Sequence, residues 1–433
     1  MSLSSTRPHF PAHRRPCGWQ ALLSPAADRP ALHGDQTADV VIVGAGYTGV
    51  AVAQTYHALA PQSRIVMLDA ETAGEGSPGR NSGFMLEIAL AGDASTGELE
   101  RMSALNALSR RAMASLKSQV DANGIDCQLQ RTGTYRAARG AEGRASLSRY
   151  REFLAAAGLE FQALDRRGLA SALGTDYYAE GLYSPDCYLV QPAALIRGLV
   201  STLPQGVELY ERSPVVGLSR DGDAWRVVTP EGTVRARRVV LANNAFSRSL
   251  GADRSRLTAI YTYAALTPPL TPEISAAVGG APWGLLPTHR LGCTLRTTAD
   301  SRLMIRAQYS YERERNNDEV AADLAASLVA RYPSLDGIGF DKVWGGTTGL
   351  THNGAPLWGE IEDGLFVSAG CNGGGIVKGT ALGDALARQM LGHPLADIPA
   401  LFGKPSWMPP EPIRRLGFEA IRRVEQRKGR DEA

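Results

Sequence analysis

Three glycines, Gly44, Gly46 and Gly49, stand in the spacing GxGxxG within the text VVIVGAGYTGVAVAQ. Alone that spacing is weak evidence, but here it follows an apolar run and opens a helical pattern. In that setting glycines let a turn close tightly, let backbone approach a pyrophosphate, and let helix and strand touch. The helix N-terminus then faces the phosphates with its free N–H groups. Asp69 lies 20 positions after Gly49 at the end of a second apolar run, placed to accept from ribose hydroxyls. The predicted chemistry is dinucleotide binding, and this unit alone leaves FAD and NAD both open.

The elements that must position these residues follow from periodicity. From Asp39 the chain reads as buried strand, glycine turn, helix and second strand, a βαβ unit. Residues 1–38 carry five prolines and no sustained period, which predicts an extended arm. Residues 97–124 and 141–173 have helical spacing of Leu, Ala and Met, with the strand-like QRTGTYRAAR between them. A strand-turn-strand meander is expected from Val207, ending in the apolar run RRVVLANNA, and alternating strands between 260 and 310 suit an antiparallel sheet. The text GLFVSAGCNGGGIVKGTALGDALARQML predicts strand, glycine loop and helix once more. Ile413 to Arg430 is basic and amphipathic, the pattern of a solvated surface helix.

Composition narrows the partners. The 433 residues, 44% apolar and 21% charged, are ordinary for a globular chain of more than one domain. Lys plus Arg exceeds Asp plus Glu by only 2 charges, so neither nucleic acid nor an anionic membrane is implied and a small ligand is expected. Cys17, Cys127, Cys187, Cys293 and Cys371 form no CxxC pair, which argues against a zinc site and a disulfide framework; no metal is expected. No run reaches the ~18 apolar residues a bilayer span needs, and the first residues lack an apolar signal core, so no membrane insertion and a cytoplasmic location are expected.

The neighbouring GEGSPGRNSGF, residues 74–84, decides between cofactors. Together with the first βαβ unit, the strand ARRVVLANNAF and the terminal GLFVSAGCNGGGIVKGTALG, it resembles the D-amino-acid-oxidase family of FAD-dependent oxidoreductases, especially its sarcosine-oxidase and γ-glutamylputrescine-oxidase-like branch. The resemblance spans most of residues 18–395. It implies an α/β fold with an α+β second domain: a Rossmann-type FAD-binding domain interleaved with an antiparallel-sheet substrate domain. The expected division gives 1–38 to the arm, 39–90, 184–250 and 340–400 to the FAD domain, 91–183 and 251–339 to the substrate domain, and 401–433 to a C-terminal helix.

The resemblance further implies Gly44, Ala45, Gly46 and Gly49 at the pyrophosphate of non-covalent FAD, Asp69 at the ribose, and Arg80, Asn81 and Ser82 beside phosphate and flavin. Val215 or Val216 would meet adenine through backbone atoms. Gly373, Gly374, Gly375 and Ile376 would lie at the pyrimidine edge of the flavin, where a helix N-terminus stabilises negative charge. Cys371, beside this loop, is expected to be a small packed thiol rather than a covalent flavin anchor. Where sarcosine oxidases carry a carboxylate-binding lysine, Val377 stands; Lys378 comes one residue later, rotated by about 100° around a helix. That departure predicts poor turnover of small N-methyl amino acids and favours a larger or substituted amine.

The expected activity is oxidation of a C–N bond in a small-molecule amine or amino acid, with hydride passing to flavin N5, the imine hydrolysing, and oxygen or another electron acceptor taking the electrons. Pocket candidates on the middle strands are Tyr261, Tyr263, His289, Arg296, Arg306 and Tyr309, with Lys378, Thr348 and Thr351 from the last segment. Period-two alternation sends some of them away from any one face. Arg296 and Arg302 flank a turn, where an arginine more often pins the hairpin. Two alternatives remain at this stage: a non-catalytic FAD-binding scaffold and a nicotinamide-dependent dehydrogenase.

Overall fold

The computed structural model describes residues 13–88 and 95–432. Residues 1–12 of the predicted arm, and the expected boundary between 90 and 91, lie outside the described residues.

Two sheets organise the chain. The first runs in the order Gly217–Asp221, Ala224–Val228, Gly232–Leu241, Gly34–Val43, Ile65–Leu68, Val207–Tyr210. Gly232–Leu241 serves two neighbours on one side: its first half pairs antiparallel with Ala224–Val228, and Val239 to Leu241 pair in parallel with Leu365 to Val367. Gly34–Val43, Ile65–Leu68, Val207–Tyr210, Gly232–Leu241 and Leu365–Ala369 are mutually parallel, and their apolar stretches are buried on both faces. That burial explains why Val40 to Val43 and Ile65 to Leu68 read as unbroken apolar runs. The helices Tyr47–Leu59 and Val377–Met390 pack against each other on this sheet. Gly383 permits their close approach, since a Cβ there would lie 2.4 Å from the Thr48 carbonyl oxygen.

The second sheet runs Lys342–Leu350, Thr258–Leu266, Leu303–Tyr311, Thr294–Thr297, Gly284–Pro287, Thr134–Ala138, Glu180–Ser184, Gln162–Asp165. All its pairings are antiparallel except that of Gly284–Pro287 with Thr134–Ala138. Its core gathers Tyr263, Leu285, Leu295, Leu303 and Ile305 under the helix Asn317–Arg331. One expected boundary moves. Lys342–Leu350, assigned from sequence to the cofactor half, is the edge strand of the antiparallel sheet, paired with Thr258–Leu266 along nine residues. The return to the parallel sheet comes only with Leu357–Glu362 and Leu365–Ala369. The first strand also begins at Gly34, five residues before Asp39, because its early residues pair with Gly232 to Ala236.

None of the described helices is long and apolar enough to cross a membrane.

Candidate active site

The parallel strands all end on one side: Val43, Leu68, Leu241 and Ala369 hand over to Gly44, Asp69, Ala242 and Gly370. In open α/β sheets the crevice outside the carboxyl ends of the strands is where ligands sit. Here a cleft opens between those ends and the antiparallel sheet, enclosing about 1820 Å³ between protein atoms with its open mouth included. One wall carries Gly44, Gly46, Asp69 and Val215; the far part carries Thr262, Thr294 and Arg306 from the antiparallel sheet.

The glycine motif has separate local reasons at each position. Gly44 has φ +106°, a left-handed conformation that favours glycine. A Cβ on Gly49 would lie 1.9 Å from the Gly44 carbonyl oxygen, so this position serves helix–strand contact rather than the cleft. A Cβ on Gly46 would meet Pro78 Cγ at 2.9 Å. Neither the helix Tyr47–Leu59 nor Val377–Met390 has a side-chain cap at its N-terminus, and Gly46, Tyr47, Gly375 and Ile376 all line the cleft. Two uncapped helix ends at one cavity form a site for anionic or electron-rich groups.

Asp69 Oδ2 accepts from the Ala45 N–H at 2.7 Å and Oδ1 from the Glu71 N–H at 3.0 Å. These bonds hold the carboxylate at the cleft and leave lone pairs for hydroxyl donors. Burial pushes its pKa up to about 6, helped by the neighbouring Glu211 and Glu71 and opposed by the two N–H bonds.

The structure brings Gly44, Gly46, Asp69, Arg80, Asn81, Ser82, Val215, Gly373, Gly375 and Ile376 to one cleft, whereas Ala45, Gly49, Gly374 and Val216 are outside its lining. Val216 is exposed and its N–H donates to the Val228 carbonyl at 2.7 Å, so that N–H is already engaged. The Arg80 guanidinium is buried and committed: its nitrogens donate to the carbonyls of Glu75, Gly345 and Arg15 at 2.5, 3.0 and 3.0 Å. From the cleft lining it ties the N-terminal segment to the edge strand.

Among the pocket candidates, Tyr263 and Arg306 line the cleft, with Thr348. A bulge between Thr262 and Tyr263 interrupts the alternation and lets Thr262, Tyr263 and Ala264 border it consecutively. The Tyr263 hydroxyl is engaged with Ser310 Oγ and the Arg315 N–H, each at 2.6 Å. Tyr261 is buried against His13 instead. Arg296 is enclosed, donating to the carbonyls of Ser82 and Val190 and lying over the Trp19 ring at 5.2 Å; burial lowers its pKa to about 10. It is a strut under the Asn81–Ser82 turn, not a substrate contact. His289 stands away from the cleft, 3.2 Å from the Glu425 carboxylate. Lys378 also lies outside the lining, with Nζ 3.4 Å from the Gly354 carbonyl and over the Phe402 ring. Arg302 pins its hairpin through Asp300 and Asp341, as the turn predicts.

Sequence reasoning missed the asparagines. Asn243 and Asn244 end the strand Gly232–Leu241 and line the cleft; Asn243 Oδ1 is buried without a protein partner, as is Thr347 Oγ1 on the same lining. Asn372, at φ +51°, accepts from the Thr351 N–H and donates to Thr351 Oγ1 and the carbonyls of Gly354 and Gly370, which sets the glycine loop. The repeated Asn after an apolar strand was the available signal. Among the described residues no cluster of three or more His, Cys, Asp or Glu suits a metal ion.

These features fit FAD: glycines where backbone must approach, a ribose-competent carboxylate, two bare helix ends, and orphaned polar atoms on the wall. Comparison with known proteins agrees. The family profile described as FAD dependent oxidoreductase, DAO, matches residues 39–389. The chain is similar to the gamma-glutamylputrescine oxidoreductase of Escherichia coli, 24% identical over 365 residues, covering 82% of this chain and 84% of that one. It is similar to the glycine oxidase of Geobacillus kaustophilus, 26% identical over 380 residues, covering 83% and 95%. The crystal structure of the Geobacillus glycine oxidase superposes with a TM-score of 0.70 at 23% identity, covering 82% of this chain and 95% of that one. At that identity the superposition speaks for the fold, while the profile covers most of the sequence and leaves the nicotinamide alternative without support. The protein belongs to the DAO family of FAD-dependent oxidoreductases, enzymes acting on amines and amino acids.

Proposed function

We propose that the protein oxidises the C–N bond of an amine that carries a carboxylate and is larger than an N-methyl amino acid, with FAD held non-covalently. The observation that carries this reading is Arg306 on the cleft lining. Among the described residues no carboxylate or carbonyl pairs with its guanidinium, and only the Tyr309 ring lies beside it, at 5.5 Å. A carboxylate entering a partly desolvated cleft needs a cation, and Arg80 and Arg296 are both committed to backbone carbonyls.

Bound FAD would take the hydride from the carbon next to the amine nitrogen, leaving an imine that hydrolyses in water, and would pass the two electrons to oxygen or another acceptor. The chain's own groups have the remaining work. Gly44, Gly46 and the bare N-terminus of Tyr47–Leu59 would hold the pyrophosphate, and Asp69 the ribose. The N-terminus of Val377–Met390 would stabilise negative charge at the flavin's pyrimidine edge. Arg306 would orient the substrate through its carboxylate, beside the small side chains of Thr262, Ala264 and Thr294, which leave room for a bulky amine substituent. The Val377 side chain is buried and cannot replace the lysine of the sarcosine-type clamp.

Arg306→Ala tests this. The variant should keep its bound flavin and raise KM for carboxylate-bearing amines by about tenfold or more, the loss of one charged hydrogen-bonding pair. An unchanged KM with such amines refutes the role of Arg306. Acid precipitation should release the flavin into the supernatant; colour retained in the pellet refutes non-covalent binding and points to Cys371, which lines the cleft.

A further inference from the structure

The helix Ile413–Lys428 is docked the wrong way round for an ordinary surface helix. Its inward face is largely polar: Arg414 donates to the carbonyls of Arg254 and Pro409, Glu425 approaches His289, and Phe418 packs its ring against Tyr311 at 5.3 Å. Its apolar residues point to solvent. Ile413, Leu416, Ile421 and Val424 are 58%, 67%, 55% and 47% exposed. At 3.6 residues per turn these four and Ala420 share one side of the helix. None of the described residues covers that stripe, and a helix is normally buried on its apolar side.

The charge around the stripe selects what covers it. Residues 413–430 hold seven Arg or Lys and two Glu, a net +5 in a chain whose total is +2. The remainder is therefore net negative, and the excess of positive charge lies in this segment, with a net +4 on the helix itself. Arg423, Arg427 and Lys428 are exposed and fall at the margins and C-terminal end of the stripe. In a twofold contact between two such stripes the same cations would face one another, which opposes self-association. An apolar stripe bordered by cations matches instead the boundary between acyl chains and anionic headgroups.

We propose that Ile413–Lys428 lies in the plane of an anionic lipid surface, with Leu416, Ile421 and Val424 entering the headgroup–acyl boundary and Arg423, Arg427 and Lys428 meeting lipid phosphates. This makes the enzyme peripherally membrane-bound without any spanning segment. The inference does not depend on the substrate reading.

The test is co-sedimentation of the FAD-loaded, full-length enzyme with vesicles of phosphatidylcholine alone and of phosphatidylcholine containing phosphatidylserine. Sedimentation with the anionic vesicles only is expected, weakened by salt. Leu416→Glu, and separately the double variant Arg423→Glu/Arg427→Glu, should each lower the apparent partition at least about tenfold. These side chains are exposed, so flavin content and Tm should stay at wild-type values and report intact folding. Absence of binding to anionic vesicles overturns the proposal. So does binding that survives Leu416→Glu, which would be charge attraction without insertion, and so does a concentration-dependent dimer that Leu416→Glu dissociates.

Discussion

Asp69 is held by two backbone N–H groups, yet burial still pushes its pKa up to about 6. In the cofactor-free protein the folded state therefore binds more protons than the unfolded chain between pH ~4 and ~6. The contribution of this group to apoprotein stability is thus full below that window and is lost as pH rises through it. FAD affinity should run the opposite way, because the ionised carboxylate is the better acceptor for ribose hydroxyls. The Kd for FAD is expected to rise as pH falls from 7 to 5, and Asp69→Asn should weaken binding about tenfold and flatten this dependence. Fluorescence titration of apoprotein with FAD at several pH values measures both; a pH-independent wild-type Kd contradicts the assignment. That Gly44, Gly46 and Asp69 meet at one cleft was legible in the sequence because the requirements of a strand–turn–helix are local. The partners of Arg80 and Arg296, the carbonyls of Gly345, Arg15, Val190 and Ser82, were not legible, because they come from remote parts of the chain that no spacing rule reports.

At the scale of elements, the junction of the first strand with its helix is intolerant of side chains. Gly46→Val should give colourless protein, but its clash would be with Pro78 as well as with pyrophosphate, so it probes the packing of the loop together with its ligand. A second element is completed from far away. The helix Ala141–Ala156 has Gly140 at its N-cap and no side-chain cap of its own; Glu432 supplies one, accepting from the N–H groups of Arg139 at 3.0 Å and Gly140 at 2.6 Å. Glu432→Ala should cost about 1–2 kcal/mol and lower Tm by a few degrees without changing flavin reduction. A calorimetric Tm equal to wild type contradicts that cap. Strand and helix identities were readable from periodicity, as in Leu303–Tyr311 and Val377–Met390. The sheet that Lys342–Leu350 joins was not, because edge pairing with Thr258–Leu266 leaves no trace in either segment.

Over the whole molecule, the segment before the first strand is a clasp. Trp19 donates to the Asn81 carbonyl and Cys17 to the Gly79 carbonyl, so the segment braces the loop that carries the cleft residues Asn81 and Ser82. His13 sits on Tyr261 near Arg80, and burial and that charge lower its pKa from 6.5 to about 3. Its docked form stays neutral while a released form takes up a proton below about pH 6.5, so docking is strongest above that value and weakens as pH falls toward 3. Limited proteolysis near residue 13 should accelerate from pH 7.5 to pH 5, and His13→Phe should remove the acceleration; equal rates at both pH values contradict it. The basic character of residues 413–430 was legible in the sequence, but the exposure of its apolar stripe was not: periodicity marks an amphipathic helix without saying which face the rest of the chain covers.

In the proposed mechanism one cleft holds FAD against an amine bearing a carboxylate. Anaerobic stopped-flow mixing of the yellow holoprotein with a panel of amines tests it most directly, by the loss of flavin absorbance. Fast bleaching is expected from larger or N-substituted amines that carry a carboxylate, with slower bleaching by sarcosine and a loss of that preference in Arg306→Ala. A flavin that no amine bleaches, or one bleached equally well by amines with and without a carboxylate, contradicts it.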